Sequence, residues 1–514
     1  MRRLVQLLVP SLFLSGCFGP GEGLEVPEDE IYFPVGVSLD ARGEHLFVVS
    51  SDFDLQYNGG AVQSYDLNKL SANIQRTCAS DEDCNGLEGG AGCDVAAGLC
   101  RFGDDDFCPG EELAPSERVL YPARCKPIDQ TPFITSTVKI GAFATDIVRR
   151  DRPATTLLAG TPAGDPERLF IPVRGDTTLH WIDVENGELR CGQANNDGAC
   201  DDQHRAGDDA AAENGRDLEL AAEPFAIDAN SLGTSLVVSN QTTGTASLFV
   251  NDWSETGPKL RFALASDRIP SRPVGVASLP LPFRDRAHSI KDEPPDAFLM
   301  SFRNAAQVRV VQFVGDGMSS PPRDYLVDAG GVTIDANSNG VDSRGLAVDA
   351  SARLVARGRC AGDDDEACHA AADLVPVDVY VANRTPASLL IGRTRPPLNY
   401  PYFFQSLPLT VGPSRVVVGR VRTPSGAEET RVFVICFDSR RIFIYDPQRS
   451  RFEAELLTGR GPYAVAVDTA RSLLYVGHFT DSFIGVFSLD LSSPANYGTM
   501  LGMLGNPKAP RSSK

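Results

Sequence analysis

The chain has 514 residues and a formal net charge of −20, enough length for a large core in one or several domains. An acidic surface of that size repels phosphate backbones and anionic headgroups, which sets nucleic-acid binding aside. Its twelve cysteines, if the protein is exported, are to be read as disulfides first.

At the start, Arg2 and Arg3 precede an apolar run from Leu4 to Leu14, interrupted by Gln6, Pro10 and Ser11. The run is shorter than the roughly 20 residues a bilayer-spanning helix requires and has the layout of a signal peptide. It closes on Leu14-Ser15-Gly16-Cys17, which resembles the lipobox of bacterial lipoproteins. The resemblance implies that residues 1–16 are removed, that the Cys17 thiol takes a diacylglyceryl group, and that residues 17–30 form a tether. Phe18 stands where that family's inner-membrane proteins carry Asp, so the sorting rule implies the outer membrane. The acyl chains, palmitate among them, would anchor the protein through about 0.8 kcal/mol per buried CH₂. The alternative is an ordinary secretory peptide with Cys17 there by chance. No later apolar segment is long enough to span a membrane.

Behind the tether a three-part unit recurs. It opens with Pro34-Val35-Gly36-Val37-Ser38-Leu39-Asp40, followed by Leu46 to Ser50 and Ala61 to Leu67. It ends the chain as Gly461-Pro462-Tyr463-Ala464-Val465-Ala466-Val467-Asp468, Leu473 to His478 and Phe483 to Asp490. Five copies lie between, with second and third runs at 169–173 and 178–184, 235–239 and 246–250, 297–302 and 307–314, 377–382 and 388–392, and 432–437 and 441–446. A more polar fourth run often follows, as at 260–264 and 452–457. Four short strands per unit at repeated spacing predict propeller blades. The Pro-x-Gly-Val-x-x-x-Asp, Leu-Tyr-Val pattern resembles the YVTN and lactonase-like propeller families, which implies an all-β, seven-bladed β-propeller over residues 31–505 with a tail at 506–514. Such a likeness speaks for fold and hardly for function. Two tandem β-sandwiches are the alternative architecture. Either Glu25 to Phe33 or Tyr497 to Leu504 is expected to complete the last blade.

The cysteines group along this repeat. Cys78, Cys84, Cys93, Cys100, Cys108 and Cys125 crowd one insertion, residues 68–132, while Cys191 with Cys200 and Cys360 with Cys368 form close pairs around acidic loops. Local bridges are expected for the two pairs, and the six leave all their connectivities open. Cys436 sits in the apolar run Val432 to Phe437 and is expected as a buried, inert thiol. With strands ordered from inside to outside, the insertions at 68–132, 191–216, 360–368, 149–167, 282–295 and 423–429 all map to one face. Residues 218–221 are expected as the fourth strand of the second blade. The decorated face is the expected protein-contact surface, with an envelope protein as partner.

The opposite face has short turns and the channel mouth. Arg174, Arg303, Arg384, Arg440, His478 and Asp481 lie in those turns, with Arg272, Arg344, Arg415 and Arg460 at or near the starts of the inner strands. Guanidinium groups there could take a carboxylate or phosphate bidentately, although Asp, Asn and Ser also serve turns and arginines pair with such aspartates without any ligand. The sequence holds no H-x-x-x-H pair, no G-x-S-x-G elbow and no phosphate-binding loop. No catalytic residue and no cofactor are assigned. A non-enzymatic binding or scaffolding propeller is the leading expectation. The resemblance also allows an extracytoplasmic hydrolase or lactonase-like enzyme using His478 and Asp481, but no motif carries the families' catalytic residues onto this chain.

Asp335, Asn337, Asn339 and Gly340, with Asp342 beyond, match the start of a calcium loop. Leu346 stands where the bidentate Glu of such a loop would be, and an Asx-rich turn is the other reading. If the run binds Ca²⁺, calcium raises the melting temperature and Asp335→Ala abolishes the rise; no shift on adding calcium excludes the site.

Overall fold

The computed structural model describes residues 23–87, 90–102, 127–153, 166–279, 297–315, 324–334, 342–360, 365–396 and 400–507. The signal segment with Cys17, the cysteines Cys108 and Cys125, the insertion at 282–295 and the calcium-type residues Asp335, Asn337 and Asn339 lie outside them.

Seven antiparallel sheets succeed one another along the chain and form the blades of a β-propeller. Blade 1 comprises Pro34–Leu39, His45–Ser50, Gly60–Asp66 and Ile134–Ile140, and blade 2 comprises Val148–Asp151, Glu167–Val173, Thr178–Glu185 and a short outer piece, Glu188–Arg190. Blade 3 runs from Pro224–Ala229 through Ser235–Asn240 and Thr245–Val250 to Lys259–Leu264. Blade 4 runs from Pro273–Leu279 through Ala297–Phe302 and Gln307–Gly315 to Asp324–Thr333. Blade 5 is Ser343–Asp349, Asp378–Arg384, Ala387–Arg395 and Tyr400–Pro408. Blade 6 is Pro413–Arg422, Glu428–Cys436, Arg441–Asp446 and Arg451–Leu457, and blade 7 is Pro462–Asp468, Leu473–His478, Phe483–Ser488 and Met500–Leu504.

The burial pattern explains the sequence pattern. Middle strands such as Ser235–Asn240, Ala297–Phe302 and Leu473–His478 are buried at every position, because a neighbouring blade covers each face. They therefore read as unbroken apolar runs, whereas an outer strand such as Tyr400–Pro408 exposes alternate residues. The core is a ring of contacts between blades. Phe47 of blade 1 packs with Leu169 of blade 2, Phe170 with Leu236 of blade 3, and Val237 with Phe298 of blade 4. Leu299 packs with Val379 of blade 5, Tyr380 with Val432 of blade 6, Phe433 with Leu474 of blade 7, and Tyr475 with Leu46 of blade 1. Each large side chain so buried contributes roughly 1.5–3 kcal/mol.

The inner strands need small residues. A Cβ on Gly345 would come within 2.6 Å of the Arg415 backbone in the next blade. In six blades the inner strand shifts register just after its first residue.

The last blade is completed by Met500–Leu504 alone, settling the choice the sequence left open; residues 24–33 pack instead against blade 1. There Leu24 and Tyr57 form a bridge, and the Glu28 carbonyl accepts from Gln63 and Thr137 at 2.9 Å each. Blade 7 is joined to blade 1 by more than apolar packing. The insertion after Gly60–Asp66 returns along the outer edge of Met500–Leu504, where the Ile128 N–H donates to the Met503 carbonyl at 2.7 Å and Gly505 donates back at 3.0 Å. Upstream in the same insertion, Thr77 donates to Asp490 at 2.8 Å, and Asn496 donates to the Gly98 carbonyl at 3.1 Å. Disulfides Cys78–Cys93 and Cys84–Cys100 hold that part together.

The second acidic insertion departs from expectation. Residues 218–221 form no strand. The outer edge of Thr178–Glu185 is covered in two pieces, by Glu188–Arg190 at one end and Arg205–Ala206 at the other. Residues 191–204 thus interrupt the fourth strand and leave sideways from the rim, not from the decorated face. Stapled by Cys191–Cys200, they pair with blade 1 through Lys139, whose N–H donates to Gly198 at 2.8 Å and whose carbonyl accepts from Cys200 at 2.9 Å. The chain continues along the rim: Glu213 accepts from the Leu260 N–H of blade 3 at 2.6 Å, and Arg216 donates to the Arg261 and Asp324 carbonyls at 3.1 and 3.2 Å. A belt from blade 1 to blade 4 results. The segment at 423–429 is the tip of a lengthened hairpin, with the Thr423 N–H donating to Ala427 at 2.7 Å. In blade 5 the insertion folds as two helices, Ser351–Arg357 and Glu366–Asp373, linked by Cys360–Cys368. Cys436 is free and buried, and burial pushes its thiol up to about 11.

Both tryptophans of the chain flank one buried cation. Arg168 is fully buried, lies 4.2 Å from the Trp181 ring and 5.4 Å from Trp253, and donates to Asp183 at 2.7 and 3.0 Å and to Asn251 at 2.8 Å. Arg168→Ala leaves those acceptors and the aromatic slot empty and costs about 3–5 kcal/mol. Arg190→Ala, which removes an exposed pair with Glu185, costs less than about 1 kcal/mol. Chemical denaturation of the two variants measures the difference; equal midpoints would exclude Arg168 as a structural centre.

Candidate functional site at the channel mouth

One backbone hydrogen bond is repeated at the short-turn end of every blade. In five blades the N–H of the residue just beyond the second strand donates to the carbonyl of the residue preceding the inner strand. In blade 2 the acceptor, Phe143, lies further ahead of Val148–Asp151, and in blade 5 the donor, Arg384, is the last residue of Asp378–Arg384. The pairs are Ser51 to Phe33 (3.1 Å), Arg174 to Phe143 (3.1 Å), Gln241 to Glu223 (3.0 Å), Arg303 to Arg272 (3.0 Å), Arg384 to Asp342 (2.7 Å), Phe437 to Gly412 (2.8 Å) and Phe479 to Gly461 (2.8 Å). The accepting residue is held at positive φ in six blades: Phe33 at 42°, Phe143 at 59°, Glu223 at 56°, Arg272 at 58°, Gly412 at 85° and Gly461 at 66°. Glycine adopts that conformation freely, while any other residue there costs about 1–2 kcal/mol. Four blades nevertheless place a side chain there.

Those side chains, with the donors' own, divide the mouth into two sectors. Phe33, Phe53, Phe143, Phe437, Tyr463 and Phe479 form a continuous aromatic group, with Phe53 and Phe479 centroids 5.1 Å apart and Phe437 and Phe479 6.1 Å apart. Facing it, Arg272, Arg303, Arg344 and Arg384 gather around blades 4 and 5. The Arg303 guanidinium is held below its ordinary value by burial first and then by repulsion from Arg344, with Arg272 and Arg384 adding to it and Asp342 opposing. Asp342 is taken by Arg344 at 2.6 and 3.0 Å, and Asp438 by Arg384. Among the described residues, neither Arg272 nor Arg303 has an ion pair.

Between the sectors lies a cavity of about 270 Å³ lined by Phe225, Arg344, Arg384, Ser414, Phe437 and Tyr463, among others. Arg415 enters it from blade 6 and donates to Asp146 at 2.7 Å and to the Thr145 carbonyl at 3.0 Å, with Tyr463 stacked 4.2 Å from its guanidinium. Burial alone would lower the Arg415 guanidinium, but Asp146 and Tyr463 outweigh it and raise it above its ordinary value. The strut joins blade 6 to the segment leading into blade 2.

The other turn residues singled out in the sequence fall differently. Arg174 bonds Glu223 at 2.6 Å and lies 6.0 Å from the Phe143 ring. Arg440 sits in the blade 6 turn at a φ of 57°. His478 does not face the mouth: it is fully buried inside blade 7, stacked on Phe483 at 4.1 Å, and burial pushes its imidazole down to about 3. Asp481 is buried against Arg460, accepting from its N–H and its Nε at 2.6 Å each. The two turn residues that the hydrolase alternative would use, also candidates for ligand binding, are therefore set in packing and in an ion pair. The histidines His45, His180 and His204 bond Asp40, Asp176 and Asp201. Sequence reasoning missed the aromatic sector, although four of its six members, Phe33, Phe143, Phe437 and Phe479, occupy the acceptor or donor position of the repeated bond.

No family model matches the chain, and no curated protein does. Among solved structures it is similar to hydrazine synthase of Kuenenia stuttgartiensis, at 9% identity over 90% of this chain and 97% of that one, with a TM-score of 0.47. It is similar to the periplasmic gluconolactonase of Pseudomonas aeruginosa, at 11% identity over 83% and 86% with a TM-score of 0.42. Virginiamycin B lyase from Staphylococcus aureus matches at 8% identity over 88% and 93%, with a TM-score of 0.40.

Beside the aromatic sector, the Asp52 side chain is fully buried; its Oδ1 accepts from the Tyr57 N–H at 3.1 Å, and its Oδ2 has no partner. Burial, with Asp54 adding to it, pushes the carboxyl up to about 6. A carboxyl raised on folding favours the native state most when protonated, below its unfolded value near 4, and that contribution is lost as pH climbs through 6. Asp52→Asn, a neutral isostere, gains about 1–2 kcal/mol on the wild type between pH 4 and pH 8. Melting temperatures of both proteins across that range test this; parallel curves would rule it out.

Proposed function

We propose that the chain is a non-enzymatic binding or scaffolding propeller of the cell envelope, tethered through lipidated Cys17 at the outer membrane. The observation that carries the reading is the commitment of the acids around the cavity to arginines; Asp52, which has no such pair, is buried and does not line it. Asp146, Asp342, Asp438 and Glu223 each pair with an arginine, and among the described residues no histidine lines the cavity. The surface there offers hydrogen-bond donors and apolar area, which suits capture, whereas hydrolysis calls for a positioned base. On the decorated face, the disulfide-held hairpin exposes Val95 at 71%, and the blade 5 helices and the turn beyond them expose Leu354 at 55% and Leu374 at 59%. Constrained loops presenting apolar tips fit a protein neighbour.

Photo-crosslinking residues placed at Val95 and Leu354 in living cells test the reading. Capture of one envelope protein from these positions, and not from Phe53 at the mouth, supports it. Turnover of a lactone or ester panel by the purified chain overturns the non-enzymatic assignment in favour of a hydrolase.

A further inference from the structure

We infer that the channel mouth is a binding site for an amphipathic oxyanion, a carboxylate or phosphate ester carried on a flat apolar body. The inference rests on reading the mouth as a capture surface and names what it captures. Among the described residues, four guanidinium groups, Arg272, Arg303, Arg344 and Arg384, share two carboxylates, Asp342 and Asp438. The repulsion felt by Arg303 is the electrostatic mark of that imbalance, and an oxyanion placed among them relieves it. Arginine forks match carboxylate and phosphate oxygens bidentately, and partial burial strengthens such pairs.

Backbone strain points the same way. Blades 6 and 7 put Gly412 and Gly461 before their inner strands, whereas blade 4 holds Arg272 in the left-handed conformation at a φ of 58°. Folding alone is better served by glycine at that position, so the strained residue calls for a reason beyond the fold. Arg272 stands among the arginines whose repulsion reaches Arg303, beside the Arg344 and Arg384 that line the cavity. The second half of the ligand is set by Phe437 and Tyr463, which line the cavity, with Phe479 6.0 Å from Tyr463. The cavity, about 270 Å³, lies at the small end of ligand pockets, which run from roughly 300 Å³ upward. It takes about one fused ring system with its acid group. Arg415 is held by Asp146 and forms the wall; it is not an anion ligand.

Calorimetric titration of the full chain with 2-naphthoate, 2-naphthyl phosphate and neutral 2-naphthol tests the site. At least one of the two anions binds tenfold or more tightly than 2-naphthol, and the preferred anion tells carboxylate from phosphate. Arg272→Gly keeps or raises the melting temperature while weakening that anion at least tenfold, and Arg303→Met weakens it similarly without altering 2-naphthol. Equal binding of anion and neutral probe, no binding of any probe, or unchanged affinity in both folded variants overturns the inference. Those results leave the crosslinks at Val95 standing, and turnover would refute the non-enzymatic reading without removing the anion preference.

Discussion

A single backbone hydrogen bond, made once per blade between the end of the second strand and the segment leading into the inner strand, sets the geometry of the channel mouth. It satisfies polar groups that would otherwise be buried without partners where seven sheets converge. Because only main-chain atoms take part, the side chains at both positions are released from structural duty. The ring can then place phenylalanine, arginine, aspartate or glycine at equivalent points without changing its frame, and the division into an aromatic and a cationic sector follows from that freedom. The left-handed conformation that six blades adopt at the accepting position costs energy wherever the residue is not glycine.

How much of this can be read from the chain depends on what each feature is built from. Second and third strands such as Leu473–His478 and Phe483–Ser488 are legible because burial on both faces writes them as continuous apolar runs. The local bridges Cys191–Cys200 and Cys360–Cys368 were legible from spacing. Residues 218–221 misled because their apolar alternation serves a rim segment, while the true cover of the third strand comes in two polar pieces that only tertiary contacts define. Short helices over 351–357 and 366–373 have too few turns to leave a periodic signature. At the mouth, Arg303 and Arg384 stood out as charged turn residues, but the aromatic sector gathers Phe33, Phe143, Phe437 and Phe479 from separate blades, and no local pattern reports such a convergence. His478 reads as a turn residue since it closes a strand; its ring is turned into the blade, where Phe483 covers it.

The electrostatics also divide by location. The chain as a whole is strongly acidic, yet its mouth concentrates guanidinium groups with partly buried surroundings. In such a cleft the field is set by nearby groups more than by the distant surface charge, which salt screens over about 8–10 Å. A protein of this sign can thus remain soluble through its acidic loops while keeping a cationic opening. The Arg415–Asp146 strut contributes no net charge to that opening and forms part of its wall.

The contact that completes the ring is an unusual one for its chemistry. Ile128 lies along the edge of the last strand as the end of an insertion whose earlier part is stapled by Cys78–Cys93 and Cys84–Cys100. Sulfur bonding and ring closure are in this way parts of one clasp. The circle is therefore fastened twice at its seam, by the buried contact of Leu46 with Tyr475 and by main-chain bonds from a segment that belongs to neither of the two blades' own strands.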